Sequence, residues 1–378
     1  MTAVAPDISL LNSLRVAIVL VNWNGWEDTV ACLDSVFGLQ HPNFTVFVVD
    51  NASSDGSVEK IGAWCRKPYA VSRENLRPGV QSATAAQPGQ ARRWIDVDFK
   101  TSPGPADIPE GTEIVLIRSG GNLGFAGGNN VGLKCAGLQR YDYFWLLNTD
   151  TLVDRQALTE LLRRGVSDPS LGLIGSTLAL YWEPHITQAT GGGAFDFSKM
   201  QPSHLGEGLD VARLADTDPS SVEAKMAYVV GASMLASRGF VENVGLMMED
   251  YFLYFEELDW AVRAVGHYRL GYAPRSVVYH KVGGSSARKA SYRSAAILYR
   301  NRLKFVARYF PSRYRRVVLR LMFDEFPRHV LKLRWVDARA LFAAFRSIGK
   351  AYREGVAGRP ASYVEVSSLQ PNALKGSS

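Results

Sequence analysis

Two apolar runs decide the fold: RVAIVLVN at Arg15–Asn22 and FTVFVVD at Phe44–Asp50. Each is continuous, strand-length and rich in β-branched residues, and each ends on a polar side chain. Strands covered on both faces, as in parallel sheets, read this way, whereas half-exposed strands alternate. Between the runs, Val30, Leu33 and Phe37 recur at helical spacing. After the second run the turn cluster NASSDGS leads into a further stripe, Val58, Ile61 and Cys65. Strand, helix, strand, helix implies right-handed crossovers and a parallel sheet.

Outward from that unit the rhythm continues. EIVLIR (Glu113–Arg118), a Gly-rich turn, a helix over about 126–139 and the strand YDYFWLLN (Tyr141–Asn148) follow in order, then a helix over about 155–164 and the strand LGLIGSTLAL (Leu171–Leu180). MAYVVGASMLAS (Met226–Ser237) reads as one strand, and HYRLGYAPRSVVYH (His267–His280) as strands closing the sheet. Residues 72–111 break the pattern with Pro, Gly, Gln and Ala, and read as an inserted surface loop with one short strand at Trp94–Phe99. Residues 181–223 are irregular. After Ser291 the pattern is wholly helical, punctuated by Pro311 and Pro327, and three helices are expected. The expected class is α/β, with a mostly parallel sheet flanked by helices over 1–285 and a helical extension over 286–378.

Composition narrows the function classes. With 378 residues, 47% of them hydrophobic, the chain is neither disordered nor collagen-like. Its three cysteines, Cys32, Cys65 and Cys135, form no CxxC pair, so no disulfide framework or zinc cluster is expected and a reducing, cytoplasmic setting fits best. The N-terminus lacks the long apolar core of a signal peptide, and no run of about 18 apolar residues points to a membrane span. Charge is uneven. Arg288–Pro360 holds 19 Lys/Arg and 4 Asp/Glu, a net +15, so the remainder carries 7 − 15 = −8. A basic tail on an acidic body suggests an anionic partner surface, or a solvated helical face.

Candidate chemistry collects at the strand ends, where open parallel sheets bind ligands. Asp50 can accept hydrogen bonds from a base or ribose, or cap its own turn. GGNLGFAGGNN (Gly120–Asn130) can bring backbone close to a nucleotide, or be a plain turn, since GxGxxG is absent. In NTDT (Asn148–Thr151), Asp150 can hold a hard divalent cation, or form an Asx-turn. FEELDW (Phe255–Trp260) sets three acids at a helix start among aromatics. Carboxylates are ordinarily favourable there, yet burial and like charge would raise one pKa towards that of a general base. His280 ends a strand beside Gly-rich backbone, as a structural residue or a metal ligand.

Taken in order, VNWNG, VVDNASSDGS, GGNLGFAGGNN, LLNTD, GASMLASR, YFEELDW and YHKVGGSS resemble the motif series of family 2 glycosyltransferases with the GT-A fold, and especially bacterial rhamnosyltransferases of surface-polysaccharide synthesis. The resemblance covers about Val16–Pro311, including YRNRLKFVARYFP (Tyr299–Pro311). It implies a nucleotide-sugar donor (dTDP-rhamnose favoured over donors such as a UDP-hexose or UDP-galactofuranose), Mg2+ or Mn2+, and inversion at the anomeric carbon. Implied donor contacts are Asn22, Asn24, Asp50, Asn51, Arg118, Asn122, Gly124, Asn129, Asn148, Thr149 and Gly231. NTD stands where the family has DxD, so Asp150 inherits the metal contact, with His280 completing the site. Glu257 matches the general base, with Glu256 its competitor. Trp182 and Gly192 in the 181–223 region, with Asp259 and Trp260, are assigned to a glycan or lipid-linked acceptor. The tail is expected to meet anionic lipid or to pack on the body, and a homo-oligomer is compatible. Binding without catalysis would leave the FEELDW acids unexplained. Nucleic-acid binding lacks a recognisable fold motif or an aromatic strand face.

Overall fold

A computed structural model describes residues 7–67, 92–99, 108–282 and 292–359. The remainder, including most of the expected 72–111 insertion, lies outside the described residues. Strands β1 (Val16–Asn22) and β2 (Phe44–Asp50) pair in parallel with Asn22 opposite Asp50. They are joined through helix α2 (Trp26–Val36), as the two apolar runs require.

Among the described residues the main sheet has ten strands. β3 (Trp94–Asp98), β4 (Ile114–Arg118), β2, β1 and β5 (Tyr143–Asn148) lie side by side, all parallel. The order continues through β12 (Ser233–Ser237), β7 (Leu171–Leu180), β13 (Arg269–His280) and β6 (Thr151–Val153), with β8 (Thr187–Thr190) attached to β7. Only β12, β6 and β8 run against their neighbours. The mostly parallel α/β expectation therefore holds. A second sheet, β10 (Gln201–His204), β9 (Gly192–Asp196) and β11 (Tyr228–Val229), is built largely from the region that reads as irregular.

Two differences from the sequence reading matter for the site. Met226–Ser237 is not one strand; it breaks at Val230–Ala232, between β11 and β12. The tail forms more than three helical segments: α9 (Tyr292–Tyr309), α10 (Tyr314–Arg320), α11 (Phe326–Leu331), α12 (Trp335–Arg346) and α13 (Ile348–Ala357), with a π turn at Leu321–Glu325. Of these, α9 carries buried Asn301, Arg302, Lys304 and Arg308, which no free-standing amphipathic helix would place inside. Their partners include backbone and carboxylate groups of the body. Cys32, Cys65 and Cys135 are free and buried, and burial pushes their thiols up to about 12, 12 and 11, so they are unreactive packing residues. No described helix is long and apolar enough to cross a membrane.

Candidate active site

A cavity of about 620 Å³ opens at the carboxyl ends of β1, β2 and β5. Its walls include Trp23, Asn51, Asn122, Gly124, Phe125, Asn148, Thr149, Asp150, His280 and the segment Phe252–Tyr254. Five of the expected donor residues and both expected metal ligands thus share one cleft. Strand register explains the meeting of residues 130 positions apart. Thr151 on β6 pairs with His280 on β13, and Lys281 N–H donates to Asp150 O at 2.9 Å. The side chains follow, with His280 Nε2 lying 3.2 Å from Asp150 Oδ1.

Gln188, which sequence reading missed, fixes the chemistry of that contact. Its Oε1 lies 2.8 Å from His280 Nδ1 and can only accept, so Nδ1 carries the proton. Nε2 is thereby the nitrogen turned to the Asp150 carboxylate, and an imidazole nitrogen and a carboxylate oxygen at this separation can share a cation. Among the described residues no three His, Cys, Asp or Glu side chains gather to hold a metal. One carboxylate and one imidazole nevertheless fit an ion whose remaining positions go to substrate phosphates and water. No signal in the sequence singled out Gln188, because it becomes relevant only through the β7–β8 hairpin.

The expected base lies where the broken strand turns. Glu257 opens helix α8 (Glu256–Arg263), and its carboxylate accepts a hydrogen bond from Gly231 N–H. A Cβ on Gly231 would lie 2.5 Å from Glu257 Oε1 and 3.1 Å from Phe125 Cζ, so glycine makes room for this carboxylate. The neighbouring Ala232 O accepts from Asn148 N–H at 3.1 Å, which ties the Glu257 seat to the NTD turn. Burial raises the Glu257 carboxyl. Glu256 is different. It is 1% exposed, and its Oε2 has no hydrogen-bond partner among the described residues. Burial first, then the Glu257 charge, hold it well above the usual carboxylate range. Glu256 is the fully buried acid, pushed towards its protonated form, and Glu257 is the half-buried one.

The segment before α8 is strained and held from behind. Phe252, Tyr254 and Phe255 all have left-handed backbone (φ 67°, 68° and 76°), which bulky residues adopt only when surroundings enforce it. Asn301 Nδ2 on α9 reaches Tyr251 O, Leu253 O and Tyr254 O at 2.8, 2.8 and 3.0 Å. Lys304 Nζ donates to Asp250 O at 2.6 Å. From the front, Phe125 N–H donates to Phe252 O at 2.7 Å, and Gly124 (φ +73°) leaves space that a Cβ would fill against the same carbonyl.

Other expected contacts do not line this cavity. Asp50 is 3% exposed and accepts from Asn22 Nδ2 (2.8 Å) and Ser53 N–H (3.0 Å), while Asn22 Oδ1 accepts from Thr29. Asn24 ties two loops by accepting from Ser54 N–H. Asn129 donates back to Phe125 O within its helix, α4 (Gly124–Ala136), and Arg118 pairs with Asp96 on β3. In that helix Gly128 and Gly132 lie against Val21 and Val19, so much of the Gly-rich stretch serves packing.

The acceptor assignments of Asp259 and Trp260 are corrected. Asp259, fully buried, accepts from Tyr251, Tyr309, Arg263 and Arg308. Trp260, equally buried, donates to Gly245 O and packs edge-on against Phe240. Gly192 is likewise a close-packed strand position, because a Cβ there would strike Tyr228 O. Trp182, by contrast, is 67% exposed, just beyond β7 next to Tyr181.

The mostly parallel sheet and its flanking helices define a fold of GT-A type. Residues 17–87 match the family model described as Glycosyl transferase family 2. Among solved structures, GalNAc-T7 with UDP, GalNAc and Mn2+ superposes with a TM-score of 0.50 at 15% identity. The match covers 79% of this chain and 48% of that one, so the present chain spans about half its length. Also similar are the mannosyltransferase PcManGT from Pyrobaculum calidifontis with GDP-Man and Mn2+ (TM-score 0.47, 16% identity, 92% and 78% covered) and S. aureus TarS 1–349 (0.43, 13%, 91% and 90%). No curated protein matches the chain.

Proposed function

We propose that the protein is an inverting, metal-dependent glycosyltransferase that moves a sugar from a nucleotide diphosphate donor to an acceptor hydroxyl. The observation that carries this reading is the Asp150–His280 pair, with Gln188 holding Nδ1 and so turning Nε2 to Asp150 at the edge of a nucleotide-sized cleft. Asp150 and His280 would hold Mg2+ or Mn2+, which neutralises charge on the departing diphosphate. Trp23, 40% exposed on the cleft wall, offers a face for the base, and Asn51, Asn122 and Thr149 offer polar contacts for the donor. Glu257 takes the acceptor proton as the hydroxyl attacks the anomeric carbon. Its raised affinity for that proton, caused by burial, suits a base. One displacement with one base inverts configuration.

For the donor, the motif resemblance favours dTDP-rhamnose. The acceptor is then a glycan or lipid-linked hydroxyl in cell-surface polysaccharide synthesis, at the cytoplasmic face of the plasma membrane. The C-terminal helices are the part we read as facing that anionic surface.

The test is a thermal-shift screen of nucleotide sugars with and without Mn2+. A ligand at about 100 times its Kd stabilises the fold by roughly 2.7 kcal/mol. One donor class should raise Tm, more so with Mn2+, and Asp150→Asn should erase the Mn2+-dependent part. An Mn2+ response that survives both Asp150→Asn and His280→Ala would remove the metal assignment.

A further inference from the structure

A second cavity, of about 530 Å³, lies on the other side of the Phe252–Phe255 segment, between β10, α9 and α11. Tyr254 lines the first cleft and Phe255 the second. On α9, Arg293, Ser294 and Ile297 face the first, and Leu298, Tyr299 and Arg302 the second. The second cavity is lined by six cationic side chains, Lys199, Arg302, Arg320, Arg328, Lys332 and Arg334, against one carboxylate, Glu325. Acids outside the lining pair with four of these cations: Asp196 with Lys199, Asp324 with Arg320 and Arg328, and Asp337 with Arg334. Lys332 has no acid within ion-pair distance among the described residues. The buried Arg302 is fixed in a bidentate pair with Glu325, at 2.8 and 2.9 Å. Exposed guanidinium groups at Arg328 and Arg334 beside the Lys332 ammonium suit a phosphate oxyanion rather than a neutral sugar.

The rim of this cavity is apolar in an unusual way. In Leu331-Lys332-Leu333-Arg334-Trp335, the cations at 332 and 334 line the cavity, while Leu331, Leu333 and Trp335 are 81%, 70% and 56% exposed. The turn between α11 and α12 holds Leu333 at φ 54°, a backbone that a β-carbon disfavours. Alternation of buried-type side chains with phosphate-seeking ones on a projecting turn is the chemistry of a membrane interface: apolar groups enter the acyl boundary while cations meet headgroups. A nucleic acid would match the charge and leave the leucines in water.

We infer that this cavity binds the phosphate headgroup of a membrane lipid, with Leu331, Leu333 and Trp335 inserted beside it. The inference rests on reading the C-terminal helices as membrane-facing, and it needs no part of the transfer chemistry. It places a lipid phosphate across one wall of side chains from the donor cleft.

The experiment is vesicle flotation of the full chain on phosphatidylcholine alone, with phosphatidic acid, or with phosphatidylglycerol at matched surface charge. Binding to the phosphatidic acid vesicles should exceed that to phosphatidylglycerol by about tenfold, because a phosphomonoester carries more charge per headgroup. Arg328→Ala with Lys332→Ala, both on the surface, should reduce that preference to parity. Leu331→Ser with Leu333→Ser should weaken binding to every vesicle by about tenfold, and unchanged Tm should verify folding. Equal binding to both anionic vesicles, untouched by the cation substitutions, would overturn the cavity assignment and leave the membrane-facing reading intact. No binding to any vesicle would overturn both. Binding of inorganic pyrophosphate without vesicle binding would make the ligand a soluble phosphate compound and sink the lipid assignment.

Discussion

Gly231 and the two glutamates show how single atoms set the chemistry. Any side chain at 231 displaces the Glu257 carboxylate from its backbone donor. Gly231→Ala should therefore lower sugar transfer by about 10²-fold or more, the usual worth of a positioned base, while Mn2+-dependent donor binding persists. Loss of donor binding in step with transfer would show a donor role for Gly231 instead. Glu256 makes a thermodynamic statement. Its folded-state carboxyl titrates above the ordinary 4.5, so the stability it contributes is complete below that value and is lost as pH rises through the raised one. Glu256→Gln locks in the neutral form. Its Tm should fall less between mildly acidic and alkaline pH than that of the parent chain. A parallel decline in both would show Glu256 to be ionised.

At the scale of elements, α9 is the scaffold of the Phe252–Phe255 segment. Asp259 accepts four hydrogen bonds, one of them from fully buried Arg308, which also reaches Asp250 at 2.7 Å. Removing one partner of such a pair leaves an uncompensated charge, costing about 3–5 kcal/mol. Asp259→Asn should lose stability on that order in denaturant titration, with Glu257 chemistry retained in the folded fraction. Normal stability with abolished transfer would restore Asp259 to the acceptor site. These roles explain what the sequence could and could not convey. Buried strands announce themselves by composition, so β1, β2, β4, β5 and β7 were legible, as was the NTD turn at a strand end. Asp259 and Trp260 read as acceptor contacts because they adjoin Glu257 in a cluster of acids and aromatics. Helical periodicity shows which residues share a face, but not that Arg308, 49 positions on, waits beneath it. Gln188 was invisible for the same reason, since its meaning comes from a hairpin that packs it on His280. The glycine break at 231 was hidden inside a run that read as continuous strand.

For the molecule as a whole, the claim is convergence. Parallel pairing brings Asn22 and Asp50 level, the β6–β13 ladder brings Asp150 to His280, and the β11–β12 break seats Glu257 on Gly231, next to the Ala232 carbonyl that holds Asn148 N–H. The charge asymmetry of the chain follows the same division. The acidic body carries the cleft, and the basic helices both brace it and present the cation-lined cavity. The most direct measurement is nucleoside diphosphate release by Glu257→Gln, using the donor and metal that the thermal-shift screen selects, with calorimetric donor affinity measured on the same preparation. Release should fall by about 10²–10⁴-fold with donor affinity within a factor of two of the parent chain. Undiminished release, with the donor bound as before, would contradict the placement of the base at the β11–β12 break and with it the reading of one catalytic cleft.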